Sequence, residues 1–383
     1  MDFEFPEDTI MLRDMLRRFV QKEARPLEMK YFTSGALEDK ERARLRQAIE
    51  QMGLWGLTMP EAFGGGGLDT VSACLIEEEL GKTFIPLEIG EVPASLFACT
   101  DQQVTHFLEP ALAGERHAIL AAREPGPNGS RPENWLTTAK PVNGSYVLSG
   151  RKALSTLPKP DDFLILYAQA PQGVTAFLVD IGQPGMSINS SHELIVEMHD
   201  CSAPAQALLG EPGGALKLGA DEAPRAWIRI GARYVGIVDR LIEMAVEHAR
   251  DWVSLGAPLA VRPAIQDMLA EMRVDVESAR WLVYHAAWQA DTNPSKDLRS
   301  SAAQVRLATA EMLQRSIDRT TMIFAGPGPT PQIEPQRMVR GVVSNQTLQL
   351  AIQQARAAVA TEELSLATLL TLTEVPNAGK SNS

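Results

Sequence analysis

The apolar period of this chain changes twice along its length, and few architectures accommodate that alternation. Up to about residue 118 the spacing is helical. Pro6-Glu7-Asp8 opens a segment to about Ala24 with Ile10, Leu12, Leu16, Phe19 and Val20 on a helical period, and 38–52 and 70–81 repeat the mixture. From about Ile119 short β-branched runs take over. Trp135–Val142 and Ser145–Ser149 flank Asn143-Gly144, two residues that tolerate positive φ, which predicts a hairpin. Phe163–Ala168 and Val174–Val179 predict further strands of a small antiparallel sheet or barrel. After the glycine-rich 210–219 the helical period returns over 223–254, 263–290, 297–324 and 336–372. The expected fold is α+β: an N-terminal helical domain over 1–118, a middle β domain over 119–219, and a four-helix-type bundle over 220–375. A loose polar tail is expected over 376–383.

Composition removes several functions. With 383 residues, 45% hydrophobic and 22% charged, the chain can bury substantial cores. A net charge of −12 sets it against nucleic acid and anionic membranes, since both would repel it. No apolar run reaches the roughly 18 residues of a spanning helix, and the acidic start does not read as a signal peptide; a cytoplasmic location is expected. Cys74, Cys99 and Cys201 are too scattered for a disulfide framework, and the six histidines show no ligand spacing, so no metal site is expected. The glycines 64–67 lack the Gly-Lys-Ser/Thr of a phosphate loop and predict a tight turn.

The chemistry is concentrated in 322–357, where a helical segment ends at Phe324, a Gly/Pro-rich loop runs from Ala325 to Pro335, and another segment continues into Ala357. This layout resembles the C-terminal region of the acyl-CoA dehydrogenase family, with its Gln-x-x-Gly-Gly-x-Gly, Arg-Asp and Tyr-Glu-Gly-Thr. Gly53-Leu54-Trp55-Gly56-Leu57-Thr58-Met59-Pro60-Glu61 and Glu78-Glu79-Leu80-Gly81 are similar to two further stretches of that family. The order helices, β domain, helices is also the family's, so the resemblance spans almost the whole chain.

That family removes an α-proton from an acyl-CoA with a carboxylate while a hydride passes to FAD. Counted without gaps from Arg340, the position of the base is Gln349, followed by Leu350 and Ala351. The alternative position, counted back from Leu255-Gly256, is Ala226, followed by Trp227. Neither an amide nor a methyl group can take a proton from carbon. Glu222 and Glu334 are the nearby carboxylates in sequence, with a solvated face as their plainer role. The flavin-binding loop is resembled by Arg123-Glu124-Pro125-Gly126-Pro127-Asn128-Gly129-Ser130, where a surface turn is the competing reading. Gly150-Arg151-Lys152-Ala153-Leu154-Ser155-Thr156 resembles the strand after it, with Leu154 in place of a flavin-packing Trp and Thr156 keeping a hydroxyl.

The contacts that a family subunit lends to a neighbour's FAD are altered at Trp252, Pro263 and Met322, with Gly326 kept and Arg250 and Gln266 as nearby replacements. The resemblance therefore implies the base-lacking subunit of a heterotetrameric (α2β2) acyl-CoA dehydrogenase, of the type used in bacterial steroid and cholesterol catabolism. It further implies a related catalytic subunit as partner, FAD substoichiometric to chains, and electron-transfer flavoprotein downstream. A homotetrameric dehydrogenase using Glu222 or Glu334, and a redox-silent acyl-CoA-binding scaffold, are the other readings.

Overall fold

The computed structural model describes residues 5–126, 129–190, 193–218, 220, 222–293, 295–324, 339, 343 and 345–364, without the side chains of Glu222, 345–347 and Leu350. The expected tail and the loop 325–335 lie outside the described residues. The chain forms two compact units: Met1–Gly53 with Leu68–Glu88 and Pro224–Ser383, and Leu54–Gly67 with Ile89–Ala223.

The first unit is helical. It contains α1 (Glu7–Phe19), α2 (Glu28–Ser34), α3 (Asp39–Gln51) and α4 (Thr70–Gly81). It continues with α5 (Glu222–Asp251), α6 (Pro263–Thr292), α7 (Arg299–Phe324) and α8 (Asn345–Glu363). Apart from α2, these fall on the periodic segments read from the sequence, with the expected 336–372 helix before 345 and after 364 largely outside the described residues. After α1 the helix widens into a π turn over Val20–Ala24 and tightens over Arg25–Leu27, where Pro26 lacks an N–H donor. Val235, Val238 and Leu241 of α5 share a core with Met272, Val276 and Val283 of α6, Leu313 and Ile317 of α7, and Leu348 and Ile352 of α8.

Helix α4 is buried along nearly its whole length although it carries three consecutive glutamates. Successive helical residues point about 100° apart, so each carboxylate meets a different helix. Glu77 pairs with Arg233 of α5, Glu78 with Arg280 and the Tyr284 hydroxyl of α6, and Glu79 with Arg17 of α1 and Lys82. Asp291 at the end of α6 accepts both the Thr70 and Val71 N–H groups at 2.9 Å, closing the start of α4. Where α4 crosses α5 the backbones touch: a Cβ on Gly236 would lie 1.9 Å from the Glu78 carbonyl oxygen, and one on Gly81 2.3 Å from that of Arg233.

The second unit is built on an eight-stranded sheet in the order β6-β7-β3-β2-β4-β5-β8, with β1 beside β4. Its strands are β1 (Ala118–Ala121), β2 (Thr138–Val142), β3 (Ser145–Ala153), β4 (Phe163–Ala170), β5 (Gly173–Asp180), β6 (Met186–Asn189), β7 (Ile195–Pro204) and β8 (Leu208–Leu209). The hairpin expected at Asn143-Gly144 is present, with φ of 50° and 77°. The sheet is mostly antiparallel, but β1 and β2 pair with β4 in parallel. Both faces of β4 are buried, which explains its continuous apolar run. Leu164 and Leu166 pack with Leu148, Phe177 and Val196, while Phe163, Ile165 and Tyr167 pack with Leu96, Phe107 and Trp135. The long β7 escaped sequence reading because Glu197, His199 and Asp200 interrupt its apolar pattern.

Gly236→Ala separates helix propensity from packing. Propensity alone favours alanine by about 1 kcal/mol, whereas overpacking costs about 1–3 kcal/mol. Equilibrium urea unfolding of this variant is expected to show a net loss of stability, and a gain would mean that the α4–α5 crossing is looser than the structure has it.

Candidate cofactor and substrate site

The residues that resemble the family's site lie in both units, and each half stands by itself. In the sheet unit, the loop after β1 is closed by a buried ion pair. The Glu124 carboxylate accepts the N–H groups of Leu136 and Thr137 at 2.8–3.0 Å and the Lys152 ammonium at 3.2 Å. Lys152 is wholly buried on β3, donates to the Ala122 carbonyl at 2.8 Å, and lies 4.1 Å above the Trp135 ring. The Trp135 indole N–H donates to the Gly129 carbonyl, whose residue cannot carry a side chain because a Cβ there would lie 1.7 Å from the Glu124 oxygen. Arg123 pairs with Glu193.

Burial raises the Glu124 carboxyl, but the two amide donors and Lys152 outweigh it and hold it below the usual carboxylate range. Burial lowers Lys152 to about 8 against the pull of Glu124. Arg123, Glu124 and Gly129 thus shape the loop, and Ser130 and Thr156 present exposed hydroxyls. Leu154, at the position of the expected flavin-packing Trp, is buried in the sheet core.

In the helical unit, Ala226 is half-buried near the start of α5 and Trp227 packs into the bundle core. Trp252, at the expected pyrophosphate arginine, stacks on His248 at 5.7 Å, and His248 stacks on Phe324 at 4.2 Å, both nearly parallel. Burial lowers the His248 imidazole pKa. Two short strands, β9 (Val253–Ser254) and β10 (Ala257–Pro258), form a hairpin whose tip residue Leu255 is 93% exposed at φ 51°. Arg250 is exposed, Arg262 donates to the Ser254 carbonyl, and Gln266 donates to the Ala260 carbonyl. Met322 is 57% exposed. Gln349 is exposed in the second turn of α8 and donates to Gln314 at 3.2 Å. Gly326, Glu334 and Arg340 lie outside the described residues, as does the side chain of Glu222.

Sequence reading passed over Lys152 as a structural centre and passed over Arg306 entirely. The Arg306 guanidinium lies 4.7 Å above the Trp227 ring. A charged residue inside an apolar helical period was the available signal for Arg306, but its ring partner is on another helix. Among the described residues, no three His, Cys, Asp or Glu side chains come together as a metal site, and no helix is long and apolar enough to cross a membrane.

The family description "Acyl-CoA dehydrogenase, N-terminal domain" matches residues 6–115, and "Acyl-CoA dehydrogenase, C-terminal domain" matches 225–360. The (R)-benzylsuccinyl-CoA dehydrogenase of Thauera aromatica is 30% identical over 360 residues, covering 86% of this chain and 88% of the relative. The mitochondrial short-chain specific acyl-CoA dehydrogenase of Bos taurus is 30% identical over 364 residues, covering 88% and 85%. The structure of butyryl-CoA dehydrogenase from Megasphaera elsdenii shares the fold with a TM-score of 0.77 at 23% identity, covering 95% of this chain and 100% of that one.

The closed loop carries a pH dependence of defined sign. Glu124 has its carboxyl lowered in the folded state, so its contribution to stability is present above the ordinary value of 4.5 and lost as pH falls through the folded pKa. Glu124→Gln should flatten that part of the acid limb in urea midpoints taken across it. At neutral pH it should cost about 3–5 kcal/mol by leaving Lys152 without its counter-charge. An unchanged acid limb would show that other carboxylates carry it.

Proposed function

The chain belongs to the acyl-CoA dehydrogenase family, and on that footing we propose that it is a subunit of a heteromeric FAD-dependent acyl-CoA dehydrogenase that lacks its own catalytic base. The observation that carries this reading is Gln349, whose amide is turned to Gln314, together with the methyl group of Ala226 at the alternative position. A general base contributes about 10²–10⁴-fold to such a reaction, and neither position supplies one.

The second support is the cofactor half-site. FAD is the family's usual cofactor, and a diphosphate calls for charge-assisted donors. At Trp252 and Met322 the chain offers an indole held in an aromatic stack and an exposed thioether. Arg262 is engaged with a backbone carbonyl. These residues do not fit as a complete diphosphate clamp. The proposed complex accordingly holds fewer flavins than chains. Ser130 and Thr156, and the loop shaped by Arg123, Glu124 and Gly129, are the contacts proposed for flavin on this chain, with Arg250 and Gly326 proposed from the helical unit.

The proposed partners are a related base-bearing subunit in an α2β2 assembly, an acyl-CoA substrate and electron-transfer flavoprotein, with a cytoplasmic location. A steroid-derived thioester is the acyl class implied by the resemblance, and the Thauera aromatica relative adds an aryl-substituted dicarboxylic class. A homotetramer using Glu222 or Glu334 as base is the competing reading.

Purified alone, the chain is expected to turn over no acyl-CoA with an artificial electron acceptor. Gln349→Glu in the homomer should remain colourless and inactive, because a carboxylate does not rebuild the half-site at Trp252 and Met322. In the co-expressed complex the same variant should leave flavin absorbance per mole of chain unchanged. One flavin per chain with turnover in the homomeric variant would sink the subunit reading. Turnover by the unaltered chain that disappears in Glu222→Gln or Glu334→Gln would establish the competing one.

A further inference from the structure

The turn that follows α1 borders a charged cavity. After Phe19 the chain makes a π turn over Val20–Ala24 and a tight turn over Arg25–Leu27. Turns of the π type are rare and are frequent at functional sites. Here Val20, Gln21 and Arg25 face a cavity of about 190 Å³ within the helical unit. Arg17 of α1, Glu79 and Lys82 at the end of α4, and Glu243 of α5 complete its lining. At about 30 Å³ per water, that space takes a few waters or one small polyatomic ion.

The charges around it do not balance. The Glu79 carboxylate is shared by Arg17 at 2.6 Å and Lys82 at 2.8 Å. Glu243 is shared by Arg25 at 3.0 Å and Arg240 at 3.3 Å, and Arg240 reaches on to the buried Glu28 at 3.1 Å. Four cations thus meet three carboxylates. Asp14 lies 3.7 Å from Arg17 but is held by Arg13 at 2.8 Å, so it does not close the gap. Burial raises the Glu79 carboxyl, yet its two cations outweigh burial and hold it below the usual range, so it stays ionised at neutral pH. In a chain of net charge −12, a local excess of positive charge at a cavity favours an anion.

The lining also has donors to spare. An ammonium carries three N–H groups, and Glu79 takes one from Lys82. A guanidinium carries five. Arg25 spends Nε on the Lys82 carbonyl at 2.9 Å and Nη1 on Glu243. The Gln21 amide adds a neutral donor. These donors converge from α1, from the turn after it and from the end of α4, a spread that suits a tetrahedral oxyanion better than a flat carboxylate. We propose that this cavity binds a phosphate group, as the free dianion or as a small phosphomonoester, and that the bound phosphate ties α1 to α4 and α5. The site stands independently of the acyl-CoA reading above.

The test uses the full chain at about pH 8, where phosphate is largely a dianion. Sodium phosphate is raised to about 50 mM while sodium chloride keeps the ionic strength constant. The thermal midpoint is expected to stay flat at low phosphate and to rise logarithmically above a dissociation constant on the order of 1 mM. Lys82→Met and Arg25→Met keep an apolar stem and remove a charge. Each should weaken phosphate by about 10-fold or more, as the loss of a charge-assisted bond implies. If Lys82→Met fails to fold, Arg25→Met and Arg25→Lys carry the test, with Arg25→Lys expected to bind the tighter of the two. Arg250→Gln, at the exposed arginine proposed for flavin, should leave the phosphate affinity as it is. Glycerol 3-phosphate serves as the monoester: tighter binding than inorganic phosphate supports a phosphorylated metabolite at the site, and weaker binding supports the free ion there.

A midpoint that does not respond to phosphate at constant ionic strength overturns the proposal. So does an affinity unchanged in Lys82→Met or in Arg25→Met. Loss of the affinity in Arg250→Gln overturns it as well, because the ion would then sit at the diphosphate half-site.

Discussion

Three adjacent carboxylates on one buried helix organise the helical unit. Glu77, Glu78 and Glu79 leave α4 in directions about 100° apart, and each ends on a cation from a different neighbour: α5, α6 or α1. Burying a carboxylate without a partner costs more than a fold of ordinary stability can absorb, so the three pairs must form together or α4 cannot enter. Burial pushes the Glu78 carboxyl up while Arg280 pulls it back, and burial with the Glu78 charge pushes the Tyr284 phenol up. Such a cluster adds little net stability over apolar packing, but it rejects wrong registers by stranding a charge. The Gly81–Gly236 approach reinforces this choice, because only at that crossing can the two backbones touch.

The sheet unit solves a similar problem on a smaller scale. Lys152 is wholly buried on β3, and its ammonium is shared between Glu124, the Ala122 carbonyl and the Trp135 ring. The turn that resembles a flavin loop is thereby tied to the strand that follows it, and Glu124 serves as a fastener inside it. This division suits the proposed role. Residues that shape the loop persist, while the proposal places Leu154, Trp252 and Gln349 where the resemblance implies an aromatic ring, a guanidinium and a carboxylate.

Much of this was legible in the sequence for local reasons. The four long helices follow from an apolar period sustained over many residues, and the Asn143-Gly144 hairpin from two residues that accept positive φ. The family emerged from short motifs at Gly53–Glu61 and Glu78–Gly81, whose residue types are fixed by backbone approach and buried pairing. Gln349 is reached from the sequence by an ungapped count from Arg340. The structure contributes the fact that this amide faces Gln314.

What tertiary structure alone decided is which charges meet. Glu124 and Lys152 are separated by two turns and a strand, and the sequence presents them as a polar loop residue and a basic strand residue; only the sheet register makes them a buried pair. Likewise, nothing around Arg306 distinguishes it from the other arginines of its helix. Its neighbours along the chain say where α7 lies, but what its guanidinium meets depends on what α5 and α8 place opposite, namely Trp227 and Gln354. The sequence by itself determined the helical and β segments and the family, because both are written in short-range spacing. The pairing of buried charge was decided by packing, because electrostatic partners are chosen across space and leave no period along the chain.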